Sequence, residues 1–131
     1  EGDLLELCDG NGGLVKTRLI STGKGGGKVE AIEAVREAAR EGPQWHVAVA
    51  CGSLKGGRVD WLVEKCTELG ATRFVPLLTE RSNVMSDGRS DRLERVALAA
   101  AKQCLRPHAL RMDPPTPLQS FLEEVRAAPL A

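Results

Sequence analysis

The run from Lys55 to Ser82, KGGRVDWLVEKCTELGATRFVPLLTERS, constrains the fold most, because two different periodicities meet in it. Val59, Leu62, Val63, Cys66 and Leu69 recur at the 3.6-residue spacing of a helix from about Arg58 to Leu69, and Gly70 stands where such a helix ends. Phe74 to Leu78 is then almost wholly apolar, which suits a strand covered on both faces. His46 to Cys51, upstream, has the same character. A helix between two such strands is the unit of a parallel α/β sheet. Ligands of such sheets bind in the crevice beyond the carboxyl ends of the strands. Thr79, Glu80, Arg81 and Ser82 fall at one of those ends. A guanidinium placed there can present a planar fork to phosphate.

The remaining segments are read around this unit. Leu4 to Leu7 and Leu14 to Ile20 are short strand candidates joined by Asp9-Gly10-Asn11-Gly12-Gly13, whose Asp-Gly and Asn-Gly pairs supply the positive φ angles of a hairpin. Gly23 to Lys28 reads as a mobile hairpin loop. It is no phosphate loop: three residues, not four, separate Gly23 from Gly27-Lys28, and Val29 stands where a magnesium-binding Ser or Thr belongs. Its two lysines can reach an RNA backbone. From Lys28 to Arg40 the Glu, Ala and Arg content favours helix, while Val29, Ala31, Glu33 and Val35 fit an alternating strand. Gly42-Pro43 makes the best domain boundary.

Downstream, a helix is predicted from about Asp91 to Leu105, with Asp91 and Glu94 as a capping box and Leu93, Val96, Ala97, Ala100 and Cys104 as its buried stripe. Pro107 stops it. A short strand at Ala109 to Met112 and a last helix at Leu118 to Arg126 follow. With three strands at most, the sheet reads as unfinished.

Charge excludes a general attraction to nucleic acid or anionic membrane, since 18 basic residues balance 18 acidic ones. The stretch from Arg81 to Arg111 nevertheless carries seven basic residues against three acidic, which is either a local basic face or a solvated helix surface. Cys8, Cys51, Cys66 and Cys104 form no CxxC pair and no metal-ligand spacing, so reduced thiols are expected rather than a disulfide framework. No apolar run approaches the ~18 residues of a membrane span. The opening EGDLLEL, with no initiator Met, reads as part of a longer protein.

Few side chains invite chemistry. Lys65 sits one turn from Glu64 and Glu68, which on spacing alone is ordinary surface charge. Gln103 and Arg106, three apart, project from nearly the same helix face, and a helix dipole alone accounts for Arg106. His46 reads as a core residue, and His108 has no identifiable partner. Neither a nucleophile with its base nor paired carboxylates set for acid–base work can be found.

Taken together, Lys55 and Arg58, the run from Glu64 to Gly70 (EKCTELG), Pro76, Glu80-Arg81-Ser82, and Gln103 with Arg106 resemble the ribosomal RNA uridine-N3 methyltransferase (RsmE) family. The likeness covers about residues 44–118, and the GDLLELCDGNGG segment is similar to the later part of that family's N-terminal barrel. It implies an incomplete SPOUT-type parallel sheet with flanking helices over 44–131, preceded by part of a PUA-like, RNA-binding β-barrel over 1–43. It implies a strand for Lys28 to Ala38, and that reading is adopted. By resemblance the full-length protein transfers a methyl group from S-adenosylmethionine to N3 of a uridine in small-subunit ribosomal RNA, as a homodimer and without membrane contact.

The family's cofactor-holding knot is expected beyond Ala131, so this chain alone is expected neither to bind S-adenosylmethionine nor to be active. No catalytic residue is assigned. Lys55, Lys65, Glu68, Arg81, Ser82, Gln103 and Arg106 are carried over as the RNA-facing wall or its support, with Arg81, Ser82, Gln103 and Arg106 converging on one groove. The compartment implied is the bacterial cytoplasm, or a chloroplast or mitochondrion if the wording DWLVEKCTELGA and AAAKQCLR is plant-like. The competing class is a non-catalytic RNA-binding or ribosome-assembly module.

Overall fold

The computed structural model of the protein describes residues 2–52, 57–82 and 87–128. Its first part is antiparallel. β1 (Leu4–Cys8) pairs with β2 (Gly13–Gly23), which pairs in turn with β3 (Gly26–Ala31) and, near its start, with β4 (Arg36–Glu37). The β1–β2 turn is held by Asp9, whose Oδ1 accepts from the backbone N–H of Asn11 at 2.7 Å and of Gly13 at 2.9 Å. Gly10 and Gly12 adopt φ of 77° and 110° there, so the hairpin expected from this sequence forms. Those backbone bonds, Asn11's above all, hold the Asp9 carboxyl below its ordinary range.

One expectation is narrowed in this sheet, and one is met. Gly23 to Lys28 is not a loose loop: Gly23 faces Gly26 across a two-residue hairpin turn, and β3 already begins at Gly26. The segment 28–40 is not helical, because Val29, Glu30 and Ala31 are zipped to Leu19, Arg18 and Thr17. Cross-strand pairing with β2 overrides the helix propensity of Glu, Ala and Arg. The strand adopted for Lys28 to Ala38 is present in two pieces, interrupted between Ala31 and Arg36.

The second part is a parallel sheet in the order β5 (His46–Val49), β6 (Arg73–Leu78), β7 (Arg111–Met112), with β8 (Thr116–Pro117) pairing farther along β6 on the β7 side. α1 (Gly57–Leu69) connects β5 to β6, α2 (Asp87–Gln103) connects β6 to β7, and α3 (Leu118–Ala127) follows β8. Right-handed crossovers in a 5-6-7 order put α1 and α2 on one face. Phe74 points to that face and meets Val59, Val63 and Cys66 of α1, Leu93 and Ala97 of α2, and Leu110. Val75, the next residue, is also fully buried, so β6 is covered on both sides as its apolar run requires. Among the described residues no helix is long and apolar enough to cross a membrane.

α1 ends as its sequence indicates. Gly70 takes φ 90°, with Gly70 N donating to Thr67 O at 3.1 Å and Ala71 N to Cys66 O at 2.9 Å, the paired closure of a Schellman motif. α2 departs from expectation at its start: it begins at Asp87, which places Asp91 inside the helix rather than at its cap. It closes through Leu105, a non-glycine residue at φ 56°, with Arg106 N donating to Ala101 O at 2.9 Å. His46 is exposed, contrary to the core role read from its apolar neighbours, and among the described residues its strand β5 pairs with β6 alone.

The two sheets meet at the turn after α2. Gly12 N donates to Pro107 O at 3.0 Å, and Ala109 N donates to Gly10 O at 2.8 Å. His108, left without a partner in the sequence reading, lies within 2.9 Å of Ala38 O through Nε2, and a carbonyl only accepts, so Nε2 carries the proton. All four cysteines are free thiols, and burial pushes those of Cys51 and Cys66 up from their ordinary range.

Candidate functional site

β6 and β8 deliver their carboxyl ends to one side of the sheet. There Leu78, Thr79, Glu80 and Arg81 face Pro117, Leu118 and Gln119 across an open crevice. The turn after β6 is fixed by Ser82, whose Oγ accepts from Thr79 N at 2.7 Å and donates to Thr79 O at 3.1 Å, while Ser82 N also donates to Thr79 O at 3.1 Å. Ser82 therefore shapes the turn, and Arg81 is carried on its exposed tip. The backbone of Arg81 also approaches the loop after β5: a Cβ on Gly52 would lie 3.7 Å from Arg81 O. Position and exposure leave the Arg81 guanidinium available to an anionic ligand.

Arg106 lies elsewhere. Its Nε and Nη2 donate to the carbonyl of Glu68 at 3.1 and 2.9 Å, closing the carboxyl end of α1. It lines a cavity with Gly70, Ala71 and Thr72, the residues that lead into β6. Six residues of β6 separate that end from Arg81. At strand rise this is about 20 Å. The expected convergence of Arg81, Ser82, Gln103 and Arg106 on one groove is thus not what the fold produces: Arg81 and Ser82 stand at the carboxyl ends of the parallel strands, Arg106 at their amino ends. Gln103 is exposed on the last turn of α2, whose chain leads to the amino end of β7. Local spacing gave 103 and 106 a common helix face, but the helix has ended by Leu105.

Lys65 bonds both carboxylate oxygens of Glu68 at 2.8 Å and pairs with Glu64 at 2.9 Å. The Glu64 partner first, then Glu68, pulls the Lys65 ammonium up from its ordinary range, and Lys65 holds Glu64 down. This trio is a surface clamp on α1. Lys55 lies outside the described residues. The basic stretch after Arg81 is largely spent on structure: Arg92 pairs with Asp60, Arg95 donates to Asp91 O, and Arg111 pairs with Asp113.

Sequence reasoning missed one ion network. Arg73 Nε donates to Asp113 Oδ2 at 2.6 Å, and the same guanidinium pairs with Glu124 of α3. Glu124 and then Asp113 push the Arg73 guanidinium upward, while Arg73 holds Glu124 below its ordinary range. No local pattern announces partners 40 and 51 residues apart.

Comparison with known proteins adds the family. A model described as an RNA methyltransferase domain matches residues 40–131. Ribosomal RNA small subunit methyltransferase E of Synechocystis is 33% identical over 126 residues, covering 95% of this chain and 40% of that protein. The protein of the same name from Bacillus subtilis is 32% identical over 131 residues, covering 96% of this chain and 50% of its own length. Among solved structures, ribosomal RNA small subunit methyltransferase E from Neisseria gonorrhoeae bound to S-adenosyl methionine superposes with a TM-score of 0.76 at 23% identity, over 98% of this chain and 52% of that one. At that identity the likeness speaks for the fold. The chain spans half or less of the length of the curated relatives named here.

Proposed function

Because this chain belongs to the RNA methyltransferase domain family, and within it to the ribosomal RNA small subunit methyltransferase E group, we propose that the whole protein methylates N3 of a uridine in small-subunit ribosomal RNA, using S-adenosylmethionine. The observation that carries this reading is the family match over 40–131, combined with an exposed Arg81 at the carboxyl end of β6, where parallel sheets of this kind bind ligands. Residues 1–43 act as part of a PUA-like RNA-binding barrel and residues 44–131 as part of a SPOUT methyltransferase domain. The working protein is a homodimer, in the bacterial cytoplasm or in a plant organelle according to its source.

The cofactor would supply an electrophilic methyl group. Among the described residues, however, the crevice is an open surface lined by Thr79, Glu80, Arg81 and Pro117, without an enclosed slot for an adenosyl group. These residues are therefore assigned to the RNA side. N3 of uridine must lose its proton to become nucleophilic, and a neighbouring cation favours the anion. Arg81 is the better placed of the two arginines for that role, since Arg106 is bonded to Glu68 O at the far end of the strand. Ser82 and Thr79 hold the turn that aims Arg81.

Two measurements test this. Full-length enzyme carrying Arg81→Ala is expected to lose at least about tenfold in methylation rate, some 1.4 kcal/mol of barrier, with its melting temperature unchanged. Unchanged kinetics would remove Arg81 from the mechanism. Calorimetry with S-adenosylmethionine, on this chain and on one extended past Ala131, separates the enzyme from a purely RNA-binding module: binding by the extended chain is expected, and silence from both favours the module.

A further inference from the structure

A cavity of about 220 Å³ opens at the amino ends of the parallel strands, on the seam between the two sheets. Three segments wall it: the link from β4 to β5, the turn from α1 into β6, and the turn from α2 toward β7. Its size falls below the ~300–1,000 Å³ of sites that enclose a drug-sized ligand, so it suits a small group rather than a nucleoside. Its charged lining is Arg40 and Arg106 against Glu41. Arg106 spends Nε and Nη2 on Glu68 O, and among the described residues Nη1 has no acceptor. Gly70 makes room for that guanidinium, since a Cβ there would stand 2.8 Å from Nη1. Thr72, two residues along the same turn, donates to Trp45 O through both its N–H and its hydroxyl, at 3.0 and 3.2 Å, which ties this wall to the link before β5.

We propose that this seam cavity holds a phosphate group, with the Arg40 guanidinium and Nη1 of Arg106 as its donors, and that on an RNA ligand it grips a backbone phosphate the length of β6 away from Arg81. A guanidinium already anchored by two of its nitrogens offers the third at little entropic cost, which is how a positioned arginine serves phosphate better than a free lysine. The cavity as an anion site stands on its own geometry; RNA as the source of the phosphate rests on the methyltransferase reading.

The test titrates the isotope-labelled chain with inorganic phosphate and, separately, with a single-stranded RNA oligonucleotide, following the amides of Gly70, Ala71 and Thr72 by nuclear magnetic resonance. Both ligands are expected to shift these amides saturably. Arg40→Gln is expected to weaken phosphate binding several-fold and to lower the salt dependence of RNA binding by roughly one phosphate contact. Phosphate shifts without RNA shifts would support the anion site and exclude RNA as its ligand. RNA shifts confined to Thr79–Ser82 would overturn the seam proposal and leave the RNA reading intact. Absence of any phosphate response at Gly70–Thr72, or an Arg40→Gln variant identical to the parent with both ligands, overturns the site itself.

Discussion

The guanidinium of Arg106 closes a helix that it does not belong to: it donates twice to the carbonyl of Glu68, 38 residues earlier. The last carbonyls of a helix lack intrahelical donors, and this one is served by a charged fork instead of water. Arg106→Ala is therefore expected to cost about 1–2 kcal/mol of stability, read from urea unfolding midpoints. Gly70→Ala attacks the same corner twice, through its φ of 90° and through the 2.8 Å approach of Arg106 Nη1. It should cost at least about 1 kcal/mol. The two residues share one corner, so the double variant is expected to lose less than the sum of the two, and simple additivity would show them to be independent.

Leu105 is the reverse case. It occupies the left-handed region at φ 56° while its side chain is 88% exposed, so the strain is not repaid by burial. Leu105→Gly is expected to raise stability by about 0.5–1 kcal/mol, visible as a higher thermal midpoint. A lower midpoint would mean that the leucine makes contacts the exposed surface does not suggest.

Acid should loosen α3. Glu124 is held below its ordinary value of 4.5 chiefly by the Arg73 hydrogen bonds. A carboxylate depressed in the folded state contributes stability that is complete above its unfolded value and fades as pH falls through the folded one. Thermal midpoints are thus expected to drop as pH goes from 5 toward 3, on the order of the unfolded Glu pKa and below it. Glu124→Gln should make that decline shallower. A parallel decline in both proteins would assign the acid sensitivity to other carboxylates, such as Asp9.

Gly12 lies where the two sheets meet. It is buried at φ 110°, and a Cβ there would lie 2.5 Å from His108 Cε1. Gly12→Ala is expected to part the hairpin from the α2–β7 turn and to destabilise the protein by about 2 kcal/mol or more. Faster amide exchange at Gly12 and Ala109, the donors across the seam, checks the mechanism.

Elements governed by local rules were legible in the sequence. The Asp9–Gly13 turn, α1 with its Gly70 ending, the buried face of α2 and the apolar strand β6 all follow from spacing within a dozen residues. What failed depended on partners far away. Lys28 to Arg40 carries helix-favouring residues yet pairs with β2, as only the strand reading adopted from the resemblance anticipated, and Asp91 with Glu94 mimics a cap inside a helix that begins at Asp87. His46 has core-like neighbours but sits on a strand that, among the described residues, is paired along one side. The site suffered in the same way: Arg81, Ser82 and Arg106 were each singled out, but nothing local told that β6 would hold them apart. His108 and Ala38, 70 residues distant, left no trace in the sequence.

Pro76 sits in the middle of β6, buried, and brings no backbone N–H to the sheet. On one side its neighbour is Val49; on the other the β7–β8 strand is broken between Met112 and Thr116, around Pro114 and Pro115. Two prolines across from a third leave a seam in the ladder with few amide hydrogens to share. Among the described residues α3 is tied to the sheet through the β8 pairing and the Arg73–Glu124 ion pair, so the wall of the crevice opposite Arg81 rests on these attachments.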